Sequence, residues 1–135
     1  MDINQLNKEL SQLALKKNEL SGLDYDNEEY DRVEEELHAM EDDFQEKYGD
    51  YLDEALSYVH DEFCADNDVL LPIAYVANEY KVENGNFDVD TNQGVLVDVD
   101  EFPGKSTRLV LIPSPTRILL IIDSNTREEV WKAKS

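Results

Sequence analysis

The sequence predicts an α+β protein, with a helical N-terminal half and a β-rich C-terminal half. Apolar residues recur three or four positions apart in residues 3–63, alternate with polar residues from Val69 onward, and are interrupted there by turn dipeptides. The chain has 135 residues, of which 41% are hydrophobic, enough for one core. We therefore expect a single domain over residues 1–135, with an acidic helical hairpin in 1–66 and an antiparallel β-sheet in 69–135.

The two predicted helices differ in length. The first has an apolar seam of Ile3, Leu6, Leu10, Leu13 and Leu20. The second has a longer seam of Tyr30, Val33, Leu37, Met40, Phe44, Tyr48, Leu52, Leu56, Val59 and Phe63. A first helix of about 18 residues covers only about half of the second. We expect the helices to pair antiparallel and the C-terminal half of the second to pack on the sheet.

A kink or break is predicted in the second helix near Gly49. The seam spacing changes there from alternating three and four to four and four, which locally unwinds a supercoil. Glycine also weakens a helix interior because it loses the most backbone freedom on folding.

The second half is predicted to form a six-stranded antiparallel meander. Asn84-Gly85 is typical of a two-residue hairpin turn and would set Val82 opposite Phe87. Pro103-Gly104 marks a later turn, and a three-residue loop there would set Val99 opposite Leu109. The predicted strands are 70–82, 86–91, 95–101, 107–112, 117–122 and 127–132.

Most of the charge lies in residues 24–68, which contain 19 acidic residues and only two basic ones, Arg32 and Lys47. This segment carries −17 of the net −20, so we expect no direct binding to nucleic acid or to a membrane. The alternatives are that the charge meets only water or that it meets a basic protein partner. We predict a small non-enzymatic interaction module that presents its anionic helix to a basic protein partner. The predicted contact residues are Tyr30, Glu34, Glu35, Glu41, Asp42, Asp43 and Tyr51.

A weak divalent-cation site is the first alternative function. The predicted meander sets Asp88 opposite Asp98, with Asp90 and Asp100 on the diagonals, and adjacent carboxylates repel unless they are neutralised. Residues 88–94 resemble the start of an EF-hand loop. The sequence has no glycine at the sixth position of that loop and no glutamate at the twelfth, where an EF-hand needs them. Neutralisation by Lys81 and Arg108 is the competing explanation.

A structural homodimer is the second alternative. The later strands carry apolar residues on both faces, and a sheet of that kind must be covered on both. The second face needs the first helix, a partner or another copy of the chain. Its residues are Val110, Ile112, Leu119, Ile121 and Trp131.

Catalytic signals are weak, so we expect no enzyme and no cofactor. His60 and Cys64 lie one helical turn apart, a spacing open to thiolate activation or to metal binding. Glu35-x-x-His38 is one half of a di-iron motif whose other half the chain lacks. The single cysteine and the N-terminal sequence, which has no leader-like pattern, favour a cytoplasmic protein.

Overall fold

The computed structural model describes residues 1–124 and 126–134 and shows an α+β fold. The described residues form two α-helices, one 3-10 helix and two antiparallel sheets, the sheets having the strand orders β1-β2 and β3-β4-β5-β6. The elements are α1 (Ile3–Ser21), α2 (Tyr30–Phe63), a 3-10 helix (Pro72–Tyr75), β1 (Lys81–Glu83), β2 (Asn86–Asp88), β3 (Val95–Val97), β4 (Thr107–Ile112), β5 (Arg117–Ile122) and β6 (Thr126–Lys132).

The two helices pack side by side through their apolar seams. Near the end of α1, Lys16 pairs with Glu36 at 3.2 Å, and near its start Glu9 pairs with Lys47 at 2.9 Å. Late residues of α1 therefore meet early residues of α2, so the helices run antiparallel. Neither helix in the described residues has the length and apolarity needed to cross a membrane.

The predicted break at Gly49 is wrong, because α2 is one continuous helix of 34 residues. Gly49 is buried, and a Cβ atom built there would lie 2.2 Å from Nε2 of Gln45. The glycine therefore leaves room for the Gln45 side chain to fold over the next turn. The helical hydrogen bonds continue past it.

The predicted six-stranded meander is also wrong, because the strands divide into two sheets and β2 does not pair with β3. Most of the predicted strand 70–82 is not a strand: Pro72 begins the 3-10 helix, where its missing N–H leaves no donor unpaired. The Asn84-Gly85 turn is confirmed, with Val82 opposite Phe87.

Two arginines take the place of a strand beside β2. Arg117 donates to the carbonyl oxygen of Phe87 at 3.2 Å, and Arg127 donates to that of Val89 at 2.7 Å. Backbone carbonyls that lack a ladder partner need another donor. Side chains from β5 and β6 meet this need, so the small sheet packs on the large one without extending it.

The register between β3 and β4 differs from the prediction. Val95, and not Val99, lies opposite Leu109. The connection contains two consecutive turns, with Phe102 N–H bonded to the Val99 carbonyl and Lys105 N–H bonded to the Phe102 carbonyl. The loop is therefore longer than the three residues that the Pro103-Gly104 signal suggested.

The predicted dimer patch needs correction because the chain covers it by itself. Its β4 and β5 members, Val110, Ile112, Leu119 and Ile121, are all buried in the single chain. One buried cluster joins both helices to both sheets. Val76 adds a parallel bridge to Leu111, beyond the end of β3. Of the patch, only Trp131 is partly exposed.

Two asparagines of α1 attach the helices to the β half. Asn7 accepts hydrogen bonds from the backbone N–H and the hydroxyl of Thr116, at 2.8 and 2.6 Å. Asn18 accepts from the N–H of Tyr80 at 2.7 Å and donates to its carbonyl at 2.9 Å. A side-chain amide thus pairs with Tyr80 as a neighbouring strand would, which sets the position of α1 along the β half.

We predict that Asn18→Ala lowers the free energy of unfolding by about 1–3 kcal/mol, because two backbone groups of Tyr80 lose their partners. Asn4→Ala, at an exposed position of α1, is the matched control. The control substitution raises helix propensity by a similar amount but removes no hydrogen bond between α1 and the β half. Urea unfolding of both variants measures the difference, and equal stabilities would contradict the docking role of Asn18.

Candidate functional site

The flank of α2 that faces α1 has its carboxylates neutralised within the chain. Glu41 pairs with Lys17 at 3.7 Å, and Asp43 pairs with Lys47 at 3.1 Å. Glu41 and Asp43, both predicted to contact a partner, are therefore each paired with a lysine of the same chain. Glu36 likewise pairs with Lys16.

The outer face of α2 has a row of exposed carboxylates, which we call the acidic stripe. Its members lie three, four or seven positions apart, which places them on one side of a helix. None of them forms an ion pair with any residue that the structure describes. The stripe consists of Asp31, Glu35, Asp42, Glu46, Asp50 and Asp53. It extends about 33 Å along a continuous helix.

The predicted contact residues divide between this stripe and other surfaces. Glu35 and Asp42 belong to the stripe, and Glu34 is half-buried beside it. Tyr30 is half-buried against Tyr25, with ring centroids 5.2 Å apart. Neither predicted tyrosine therefore belongs to the acidic stripe.

Tyr51 lies in a cleft between α2 and β6 that the sequence analysis did not identify. The cleft has a volume of about 280 Å³ and is lined by Tyr51, Glu54, Ala55, Tyr58 and Trp131; we call it the Trp131 cleft. The seven-residue spacing of Tyr51 and Tyr58 was a sequence signal for two rings on one helix face. No sequence signal connects them with Trp131.

A cross-helix network joins Glu9 of α1 to Tyr48 and Lys47 of α2. Burial acts to raise the pKa of Glu9, but hydrogen bonds from Tyr48 and Lys47 outweigh it and hold that pKa below its usual value. Burial and the bond to Glu9 raise the pKa of Tyr48 to about 12. The network is therefore charged at Glu9 and neutral at Tyr48 near pH 7, and it belongs to the helix interface.

The predicted cation site is wrong. Asp88 pairs with Arg127 at 3.2 Å and Asp90 with Lys81 at 2.5 Å, while Asp98 lies on another segment that does not pair with β2. Asp100, which follows β3, likewise lies on a segment that does not pair with β2. In residues 1–124 and 126–134, no group of three or more His, Cys, Asp or Glu side chains could hold a metal ion. The predicted neutralisation of these carboxylates by Lys81 is confirmed. The second cation that neutralises them is Arg127, where Arg108 was expected.

His60 is a buried structural residue, with 2% of its surface exposed. Its Nδ1 lies 3.0 Å from the Asn67 carbonyl and its Nε2 lies 2.8 Å from the Tyr75 hydroxyl. The Asn67 carbonyl oxygen can only accept, so Nδ1 donates to it, while the Tyr75 hydroxyl beside Nε2 also accepts the N–H of Leu70 at 3.1 Å. Both ring nitrogens are engaged away from Cys64, and the pair has no catalytic geometry.

Burial keeps the thiol of Cys64 protonated. Only 2% of the residue is exposed, and desolvation, with a smaller contribution from Asp98, raises the pKa of Cys64 to about 11. The thiolate is the nucleophile and the metal ligand, so neither role fits this side chain.

We predict that the stability of the protein falls between about pH 9 and pH 11, relative to a Cys64→Ala variant. The unfolded chain has a thiol pKa near 9.0 and ionises first, so it binds fewer protons than the folded chain in that interval. The expected loss is about 1–3 kcal/mol at pH 11. Urea unfolding across this range measures it, and parallel curves for the two proteins would contradict the burial of the thiol.

Comparison of the chain with protein-family models, curated proteins and solved structures found no match.

Proposed function

We propose that this protein is a non-enzymatic interaction module whose acidic stripe binds a basic protein partner. The observation that supports this most directly is the row of six exposed carboxylates on one face of α2, without cationic partners in the described chain. A continuous helix holds them in fixed positions. A basic protein surface is the complement of such an array, whereas nucleic-acid phosphates and anionic membranes are repelled by it.

The distribution of charge favours recognition over general solubility. A net charge far from zero serves solubility wherever it lies on the surface, so solubility does not require the charge to be concentrated in one segment. Here residues 24–68 carry −17 of the net −20, and the lysines of α1 neutralise only the inner flank of α2. The outer face keeps its full charge. We also propose a cytoplasmic setting, which the presence of only one cysteine, Cys64, supports.

The physical effect of the stripe would be mainly on the rate of association. An exposed ion pair contributes about 0.2–1 kcal/mol, so six carboxylates provide modest affinity that depends strongly on salt. A one-sign surface also steers an oppositely charged partner toward it and raises the association rate at low salt. Binding to a basic partner should therefore weaken steeply as salt is added.

A direct test uses a fluorescein-labelled peptide of alternating arginine and glycine as the basic probe. We predict that Asp42→Asn/Glu46→Gln/Asp50→Asn/Asp53→Asn weakens binding about tenfold or more at low salt, because the stripe loses most of its charge. The control, Asp66→Asn/Asp68→Asn/Asp100→Asn/Glu101→Gln, removes four exposed charges outside α2. Fluorescence anisotropy gives both affinities, and equal weakening by the two variants would contradict a localised site.

We also predict that the stripe variant is more stable than the natural protein. Asp42, Glu46 and Asp50 lie four residues apart, and each like-charge pair at that spacing costs about 0.2–0.5 kcal/mol. Thermal unfolding at low salt should show a higher midpoint for the stripe variant and a smaller change for the control. A lower midpoint would show that these carboxylates stabilise the fold, which would remove the case for a binding role.

A further inference from the structure

The Trp131 cleft combines three aromatic side chains with one carboxylate. Tyr51 and Trp131 are half-buried, with ring centroids 5.8 Å apart and ring planes 61° apart, and Tyr58 is 55% exposed. Glu54 completes the lining from α2. Large aromatic side chains of this kind are the residues that most often anchor protein interfaces.

The charge around the cleft favours a cation. Glu54 is exposed and forms no ion pair with the described residues. Asp50 precedes it by one helical turn and Asp61 follows it by two, both exposed. Aromatic ring faces attract cations through their quadrupoles, and an adjacent carboxylate adds to this attraction.

A second cleft on the strand side of Trp131 has the opposite charge. It shares Tyr58 and Trp131 with the first and is completed by Val130, Lys132 and Lys134. These two lysines repel a second cation placed next to the first. The surface therefore complements one isolated cationic side chain better than an uninterrupted basic run.

We infer that the Trp131 cleft receives one arginine side chain of the basic partner. This inference rests on the proposed function and specifies how that partner is recognised. Arginine fits better than lysine because its planar guanidinium stacks on aromatic rings and presents a fork of N–H donors to a carboxylate such as that of Glu54. The acidic stripe attracts the partner, and the cleft selects the side chain that docks.

The single tryptophan of the chain makes the inference measurable, because all tryptophan emission comes from Trp131, which lines this cleft. We predict that the same arginine–glycine peptide without its fluorescein label changes Trp131 emission saturably, with a dissociation constant that agrees with the anisotropy value. N-acetyl-arginine amide should change the emission in the same direction at higher concentration. N-acetyl-citrulline amide, its uncharged isostere, should not.

A variant of the cleft and a control variant elsewhere on the surface provide the matched comparison. Glu54→Gln/Tyr58→Ala should weaken peptide binding about three- to thirty-fold. Tyr25→Ala/Glu101→Gln makes the same two changes at exposed positions elsewhere and should have little effect. Tyr58 is more than half exposed, so its loss should leave the fold intact, and a thermal melt checks this.

The outcomes separate this inference from the proposed function. If the peptide binds but Trp131 emission stays constant and the cleft variant binds like its control, the cleft is overturned and the stripe stands. If the peptide does not bind at all, the proposed function fails, and the N-acetyl-arginine amide titration alone decides the cleft. A saturable response to that amide then supports the cleft, and no response overturns it.

Discussion

Burial of β4 and β5 on both faces is the constraint on which the rest of the structure depends. Four consecutive residues of β4 are fully buried, Leu109, Val110, Leu111 and Ile112, so neither face of this strand meets water. An antiparallel sheet of this kind must be covered on both sides, at a gain of about 25 cal/mol per Å² of apolar surface. The helices and the segment around Val76–Val89 supply the cover, which is why one cluster runs through the whole chain.

This packing explains how so acidic a helix stays ordered. Each buried side chain such as Leu52, Leu56 or Val59 contributes about 1.5–3 kcal/mol to the stability of the fold. Each like-charge pair on the outer face costs only about 0.2–0.5 kcal/mol. Burial therefore outweighs repulsion, and the carboxylates are confined to the sides of α2 that the core does not use. The acidic stripe is a consequence of that confinement.

Side chains complete the backbone pairing where strands are absent. Arg117 and Arg127 supply donors to the carbonyls near β2, Asn18 pairs with both backbone groups of Tyr80, and Asn67 accepts the N–H of Asp98 at 2.8 Å. These contacts join residues about 30 to 60 positions apart in the chain. Hydropathy and turn signals are local, so they indicated strands and turns here without indicating that the strands form two sheets.

The sequence by itself determined the α+β class, both helical seams, the Asn84-Gly85 turn and the concentration of charge in one helix, because these follow from local periodicity and composition. Only the tertiary structure decided that Lys17 neutralises Glu41, that Asp88 and Asp98 lie apart, and that Trp131 meets Tyr51 and Tyr58. Each of these depends on which distant segments come into contact. That choice is made by the need to bury β4 and β5, and it cannot be read from the neighbours of a residue in the sequence.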